Sequence, residues 1–214
     1  MRLNVLTRAK LKTEDRQAEL VHAALALAAQ KSPAEITTGD LAQAVGISQG
    51  GVFKHFESKE AIWLAVLDWA QQALMGRLQQ VAQTEQGRDL HALRAVFMAH
   101  IAFVQEYPGV PRLIFQELQH AKPTPLKDKV QLLMGDYREL LSRLLAQAHQ
   151  ASQIAPEVDP KGAVVLFMGA IQGLVMQSLM TGRLKDMANQ AETVFNIYEA
   201  GLMAMPQSKG KKQP

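Results

Sequence analysis

The 214-residue sequence contains no cysteine, few aromatic residues and no long apolar stretch free of polar groups. Without cysteine, disulfide bonds, thiolate nucleophiles and cysteine-ligated metal sites are excluded, and a reducing, cytoplasmic setting is expected. Every stretch of about 18 residues that is rich in apolar side chains also contains a charged residue or a cluster of polar residues, so we expect no membrane-spanning segment. The N-terminus lacks the apolar core of a signal peptide, so none is expected.

Motifs for catalysis and metal binding are missing as well. The six histidines show no metal-ligand spacing, and HExxH, a glycine-rich phosphate loop and GxSxG are all absent. We therefore expect no enzymatic activity, no metal and no cofactor. Charged residues make up 20% of the chain and the net charge is +3, which is typical of a globular protein and does not by itself indicate nucleic acid.

The sequence does contain a compact two-helix pattern over residues 37–59, TTGDLAQAVGISQGGVFKHFESK. Thr37 is a good N-cap residue, and Asp40 three residues later is a variant of the capping-box partner. Gly46 stands where a helix must end in the left-handed backbone region, and Ser48 can cap a second helix. Two steeply crossing helices need a small residue at the crossing and a glycine at the bend, so this stretch predicts a helix-turn-helix.

The continuation of this stretch resembles the TetR/AcrR family of transcriptional regulators. The family pattern is similar to Leu-Tyr-x-His-Phe-x-x-Lys-Glu-x-Leu, and the matching residues here are Val52, Phe53, His55, Phe56, Lys59, Glu60 and Ile62. The resemblance covers about residues 13–67. Phe53 departs from the pattern, because the family usually has a tyrosine there whose hydroxyl often contacts a DNA phosphate. We therefore expect Phe53 only to pack.

Apolar periodicity predicts nine helices and no strand, which makes the fold all-α. The family resemblance independently implies the same nine-helix architecture. We expect an N-terminal head with the helix-turn-helix and a basic arm over residues 1–59, and a ligand-binding and dimerisation body over residues 60–206. Residues 207–214 have the composition of a disordered tail. The fourth helix should follow Ser58 without a Pro- or Gly-rich linker and therefore connect head and body.

Three residues of the predicted second helix of the motif are candidates for reading DNA. Gln49 can bond the N6 and N7 atoms of adenine together, and Gly50 lets the backbone approach the groove closely. Lys54 can contact a phosphate or a guanine. The family resemblance assigns base reading to the positions of Gln49 and Gly50.

Five more residues are candidates for contacts with the DNA backbone. The family resemblance implies phosphate contacts for Thr38, His55 and Lys59. Basic residues, among them Lys10 and Lys12, precede the first acidic residue of the chain. Beside a helix-turn-helix, such a segment predicts an arm that follows the phosphate backbone or enters a minor groove.

The family resemblance also implies a small-molecule effector bound within the helical body. Helices five to eight are rich in methionine and aromatic residues, and methionine adapts to ligands of varied shape. The candidate effector-binding residues are Trp63, Phe103, Phe115, Met134, Tyr137 and Gln172. The alternative is that most of these side chains are ordinary core.

The predicted eighth helix has apolar residues on most of its circumference, so it must be covered on several sides. In the family, the last two helices pair with those of a second copy to form a four-helix dimer interface. The candidate interface residues are Phe167, Gly169, Gly173, Met176, Met180, Phe195 and Tyr198.

Together these features predict a DNA-binding transcriptional regulator. The favoured interpretation is a homodimeric, ligand-responsive repressor that binds palindromic half-sites of double-stranded DNA and releases them when a small apolar effector binds. One alternative is a constitutive DNA-binding protein without an effector. An alternative from a different class is an all-α dimeric ligand carrier or enzyme, which would not show salt-sensitive binding of duplex DNA.

Overall fold

The structure is a computed structural model that describes residues 13–203. Within that range the chain forms nine α-helices, two short 3-10 turns and no strand, which confirms the predicted all-α fold. The helices are α1 (Thr13–Ala28), α2 (Thr38–Val45), α3 (Gln49–Val52), α4 (Lys59–Thr84), α5 (Asp89–Glu106), α6 (Gly109–Leu118), α7 (Pro125–Gln150), α8 (Pro160–Thr181) and α9 (Met187–Met203). The 3-10 turns are Pro33–Glu35 and Leu184–Asp186.

The chain divides into two compact units that do not follow the predicted boundary at residue 59. Among the described residues, the first unit comprises residues 13–69 together with Pro108–Lys129. The second comprises Ala70–Tyr107 and residues 130–203. The first unit therefore contains α6 in addition to α1, α2 and α3.

The inclusion of α6 in the first unit follows from its contacts with α1 and the first 3-10 turn. A Cβ atom on Gly109, the first residue of α6, would lie only 2.5 Å from the Leu25 carbonyl oxygen and 2.9 Å from the Ala28 Cβ. Only glycine allows the two helices to approach so closely. Farther along α6, the Gln116 side-chain oxygen accepts a hydrogen bond from the Ala34 backbone N–H at 2.9 Å.

The second unit is built around a cluster of aromatic rings. The ring of Phe97 on α5 packs edge-to-face against Phe167 on α8, with centroids 5.2 Å apart, and contacts Phe195 on α9 at 5.3 Å. The Arg94 guanidinium lies 4.7 Å from the centroid of the Phe195 ring. It also donates to the carboxylate of Glu199 at 2.7 Å, which ties α5 to α9.

This ring cluster corrects three of the predicted dimer contacts. Phe167 and Phe195 are fully buried within their own chain, and Tyr198 is 4% exposed. The hydroxyl of Tyr198 donates to the Ala163 carbonyl oxygen at 3.2 Å. Phe167 and Phe195 belong to the core of the second unit and have no free surface for a second copy, whereas Tyr198 reaches the groove between α8 and α9 with only a small part of its side chain.

One helix of the described range, α8, is long and apolar enough to cross a bilayer by length and composition alone. This differs from the expectation drawn from the sequence. The same composition is found in helices that are covered by protein on several sides, and α8 packs against α5 and α9.

Candidate nucleic-acid interface

The first helix of the motif, α2, begins at a complete capping box. The Asp40 backbone N–H donates to the Thr37 hydroxyl at 3.1 Å, and the Thr37 backbone N–H donates to the Asp40 carboxylate at 2.7 Å. That backbone hydrogen bond lowers the pKa of Asp40 to about 2, with a further contribution from Lys31, whose ammonium lies 3.0 Å away. The predicted cap is therefore confirmed, and it satisfies two N–H groups that the helix itself leaves free.

The turn between α2 and α3 also has the predicted geometry. Gly46 adopts φ 70° and ψ 41°, the left-handed conformation that glycine enters without steric cost. The Ser48 hydroxyl then caps α3 by accepting from the Gly51 N–H at 3.1 Å. The apolar side chains that hold the two helices together are buried: Leu41, Ala42, Val45 and Val52.

Opposite this buried side, α3 and the residues after it present an exposed face formed by Gln49, Gly50, Phe53 and Lys54, called here the α3 face. The Gln49 side-chain amide donates to the Thr38 hydroxyl at 2.8 Å, which fixes its position beside the start of α2. A Cβ atom on Gly50 would meet no atom within 4 Å. The α3 face therefore combines an oriented amide, open space and a cation.

Phe53 is the residue of this face that the sequence interpretation had wrong. It was expected only to pack, but its side chain is 50% exposed. Val52 is the residue of α3 that packs into the core. Phe53, the residue after it, therefore lies on the outer side of the turn. A helical projection centred on Val52 would have placed Phe53 outside the core.

Two of the residues with a predicted phosphate contact, His55 and Lys59, make hydrogen bonds within the chain. The Lys59 ammonium donates to the Ala34 carbonyl oxygen at 3.0 Å, which leaves two of its three protons for other acceptors. His55 is half-buried, and its Nδ1 atom has no hydrogen-bond partner among the described residues. Its backbone carbonyl accepts from the Gln17 amide of α1 at 2.8 Å. Lys10 and Lys12 lie outside the described residues.

Comparison with known proteins identifies the family. Residues 20–66 match the model of bacterial regulatory proteins of the tetR family, and residues 90–195 match the tetracyclin repressor-like C-terminal domain. The chain belongs to the tetR family. It is therefore a DNA-binding regulator of transcription, and the helix-turn-helix described above lies within the first match.

Individual relatives agree with this assignment over most of the chain. The nucleoid occlusion factor SlmA of Vibrio vulnificus is 25% identical over 194 residues, which cover 90% of this chain and 96% of SlmA. The fatty acid degradation regulator FadR of Bacillus halodurans is 18% identical, with a TM-score of 0.76 over 92% of this chain and 100% of that one. FadR of Bacillus subtilis in complex with stearoyl-CoA has a TM-score of 0.74 at 18% identity, covering 86% of this chain and 98% of that one. The two FadR structures support the fold.

The effector residues predicted from the tetR-family resemblance differ in their surroundings. Phe103 and Tyr137 are 1% exposed, whereas Gln172 is on the surface. Trp63 is buried in the first unit, and Phe115 and Met134 are half-buried. None of the six lines the surface cavities described below.

The Tyr137 hydroxyl belongs to a part-buried polar pair. This hydroxyl lies 3.1 Å from the Nδ1 atom of His100. Burial lowers the pKa of His100 from 6.5 to about 4, so the imidazole is neutral at physiological pH. A neutral imidazole and a phenol can each donate or accept one hydrogen bond.

Two grooves on the second unit are lined by residues other than the predicted effector residues. One, of 460 Å³, has a mixed polar and apolar lining and lies between the end of α4, the start of α5 and α7, where Glu85, Asp89 and Arg143 contribute charged groups. The other, of 310 Å³, lies between α8 and α9 and has an apolar lining that includes Leu166, Ala170, Val194 and Ile197. The described residues contain no group of three or more His, Asp or Glu side chains that could hold a metal.

The outer side of α8 and α9 carries the apolar surface that was predicted to bind a second copy. The large apolar side chains exposed on these two helices are Val165, Leu166, Met176, Met180, Ile197 and Met203. A Cβ atom on either Gly169 or Gly173 would meet no atom within 4 Å. Leu166 and Ile197 were not among the predicted interface residues, because helical periodicity alone did not distinguish the core side of α8 from its outer side.

Proposed function

We propose that this tetR-family protein is a homodimeric, cytoplasmic repressor that binds a palindromic operator and releases it when a small apolar effector binds. The observation that carries the proposal is the α3 face. A recognition helix capped by Ser48 exposes Gln49 and Lys54 on either side of a glycine with open space in front of it. Glutamine suits adenine, and lysine suits a phosphate or guanine.

The outer surface of α8 and α9 supports the dimer. Large apolar side chains such as Leu166, 60% exposed, and Ile197, 69% exposed, border an apolar groove between the two helices. Contiguous exposed apolar surface of this kind marks protein contacts. A two-fold dimer would present two α3 faces to two half-sites, which gives a short recognition helix useful affinity.

The family and one structural neighbour support an effector. FadR of Bacillus subtilis was solved with stearoyl-CoA, a ligand with a long apolar chain. In this chain, Phe103, Met134 and Tyr137 belong to the second unit, where such a ligand would bind. Its effect on DNA binding requires different affinities for the DNA-competent and DNA-incompetent arrangements.

A second candidate function is constitutive DNA binding without an effector. It is favoured by the SlmA relatives, whose name describes nucleoid occlusion. It is also favoured by the ring cluster, because Phe97, Phe167 and Phe195 fill the interior of the second unit. In this case, the apolar surface of α8 and α9 would still serve the dimer.

Selection of bound duplexes from a random pool tests the DNA-binding half of the proposal. We expect a palindromic motif. Gln49→Ala should reduce affinity for that motif by about 1–3 kcal/mol and relax the base preference at one position in each half-site. Lys59→Ala should weaken binding to all DNA sequences alike. It should also lower the slope of log affinity against log salt concentration by about one. Equal losses for Gln49→Ala on matched and scrambled duplexes would remove Gln49 from the base-reading residues.

A ligand titration then separates the two candidate functions. Both tryptophans of the chain, Trp63 and Trp69, lie in the first unit and provide an emission signal. Apolar compounds that change this emission are titrated with and without operator. A true effector should lose about 5–150-fold in affinity when the operator is bound, because coupling is reciprocal. If every hit binds equally well in both states, the constitutive DNA-binding protein is the better interpretation.

A further inference from the structure

The α3 face contains an apolar ring that none of the assigned DNA contacts uses. Phe53 is 50% exposed and follows directly on α3. We propose that Phe53 is a specificity-determining residue that contacts the methyl group of a thymine in the major groove. This inference rests on the proposed DNA-binding role of the α3 face.

The backbone places Phe53 in line with the base-reading residues. Its φ of −70° and ψ of −6° continue the right-handed turn of α3, so its side chain keeps the helical direction. Gln49 and Phe53 are four residues apart and share one side of a helix, as do Gly50 and Lys54. A ring placed there enters the same groove as the Gln49 amide.

Gly50 leaves the ring unshielded. Because it has no side chain and a Cβ atom there would meet nothing within 4 Å, the surface beside Gln49 is open. Four helical residues span about 6 Å along the axis, and successive base pairs are about 3.4 Å apart. The ring therefore lies within about two base pairs of the pair that Gln49 contacts.

The chemistry of the ring selects its partner. Phenylalanine has no hydrogen-bond donor, so it gains nothing specific from a phosphate oxygen. Among the base edges in the major groove, only thymine presents an apolar group, its C5 methyl. Removing that methyl from contact with water is favourable, whereas cytosine or a purine edge would place polar atoms against the ring.

The decisive experiment replaces each thymine of the selected operator, one position at a time, with deoxyuridine, which lacks only the methyl. We expect one position in each half-site at which the wild-type protein loses about fourfold in affinity, the factor for one buried methyl-sized group. The same substitution in both half-sites should cost about sixteenfold. For Phe53→Ala, the affinities for the thymine and deoxyuridine operators should be equal.

Two further variants separate this contact from general weakening. Lys54→Ala is the matched control on the same face. It should weaken binding but leave unchanged the ratio of the affinities for the thymine and deoxyuridine operators. Phe53→Leu keeps an apolar side chain and should retain part of the ratio. A wild-type protein that binds the operator but shows no deoxyuridine effect overturns the thymine contact alone, and so does an effect that persists in Phe53→Ala. Absence of any duplex binding by the wild type would overturn the proposed function as well.

Discussion

The helix-turn-helix and the α8–α9 pair both have apolar side chains between their helices, but they differ in how locally the chain fixes their geometry. In the helix-turn-helix, side-chain caps at Thr37 and Ser48 and the left-handed Gly46 fix each helix end within a few residues of chain. In the α8–α9 pair, Phe167 packs against rings of α9, and both Phe167 and Phe195 also contact Phe97 of α5, which lies far earlier in the chain. The first region is therefore specified locally, and the second depends on which distant side chains meet.

This difference explains the unequal success of sequence interpretation. A cap residue is recognisable from its neighbours, so the bend at Gly46 and the cap at Ser48 could be predicted. On α8 nearly every side is apolar, and the sequence does not state which side faces α5. Phe167 therefore entered the predicted interface, although it is buried in its own chain, while Leu166 was left out.

The largest expected effect comes from a charge on the outer side of α8. Leu166→Glu should abolish the dimer, because each interface would bury two unpaired carboxylates at a cost of several kcal/mol each. The folded single chain should be almost unaffected, since Leu166 is 60% exposed in it. Sedimentation at micromolar concentration and far-UV circular dichroism measure the two properties.

Leu132→Glu provides a matched control for this test. Leu132 on α7 is also 60% exposed but does not border the groove between α8 and α9. The Leu132→Glu variant should therefore remain dimeric. A wild-type monomer, or a dimer that survives Leu166→Glu, would show that the apolar surface of α8 and α9 does not hold a dimer.

Features of the fold that depend on neighbouring residues could be predicted from the sequence, and features that depend on contacts between distant residues could not. Helix ends such as Asp159, which caps α8, and Gly182, which ends it in the left-handed conformation, carry local signals. The docking of α6 on α1 has no comparable signal, because the close approach at Gly109 depends on Leu25 and Ala28 far earlier in the chain. Phe53 was misjudged for a different reason, since a family pattern suggested packing where the local geometry leaves the ring exposed.

A smaller effect tests the interior of the second unit through pH. Burial lowers the pKa of His100 from 6.5 to about 4, so the unfolded chain binds a proton that the folded chain excludes. The stability contributed by neutral His100 is present above pH 6.5 and is lost as the pH falls from 6.5 toward 4. Each pH unit in this window costs up to about 1.4 kcal/mol, and the loss between pH 6.5 and 5 is about 1.5 kcal/mol, because the unfolded histidine is only half protonated at pH 6.5.

His100→Gln isolates this contribution. The amide can still accept a hydrogen bond from the Tyr137 hydroxyl, but it does not titrate. The free energy of unfolding, measured at fixed protein concentration from pH 7 to pH 5, should fall more steeply for the wild type than for the variant. Parallel curves would mean that a proton enters the folded protein at His100 without penalty.

The smallest effect tests the locally specified region. Thr37→Ala removes the oxygen that accepts the Asp40 N–H at 3.1 Å, and loss of such a cap typically costs about 1 kcal/mol. Tryptophan emission suits the measurement, because Trp63 and Trp69 both lie in the first unit. Thr37→Ser, which keeps the oxygen, should recover most of the loss.

Ser142→Ala is the control that distinguishes a cap from any exposed hydroxyl. Ser142 lies within α7, where its hydroxyl donates to the Arg138 carbonyl oxygen at 2.8 Å. This bond only duplicates an acceptor already used by the helix, and alanine is the better helix former, so stability should change by less than about 0.5 kcal/mol. If Thr37→Ala were equally silent, packing of α2 against α1 and α3 would be sufficient to hold the helix-turn-helix, and its contrast with the α8–α9 pair would disappear. The expected difference arises because an N-cap satisfies an N–H that the helix cannot pair internally, whereas a hydroxyl in mid-helix does not.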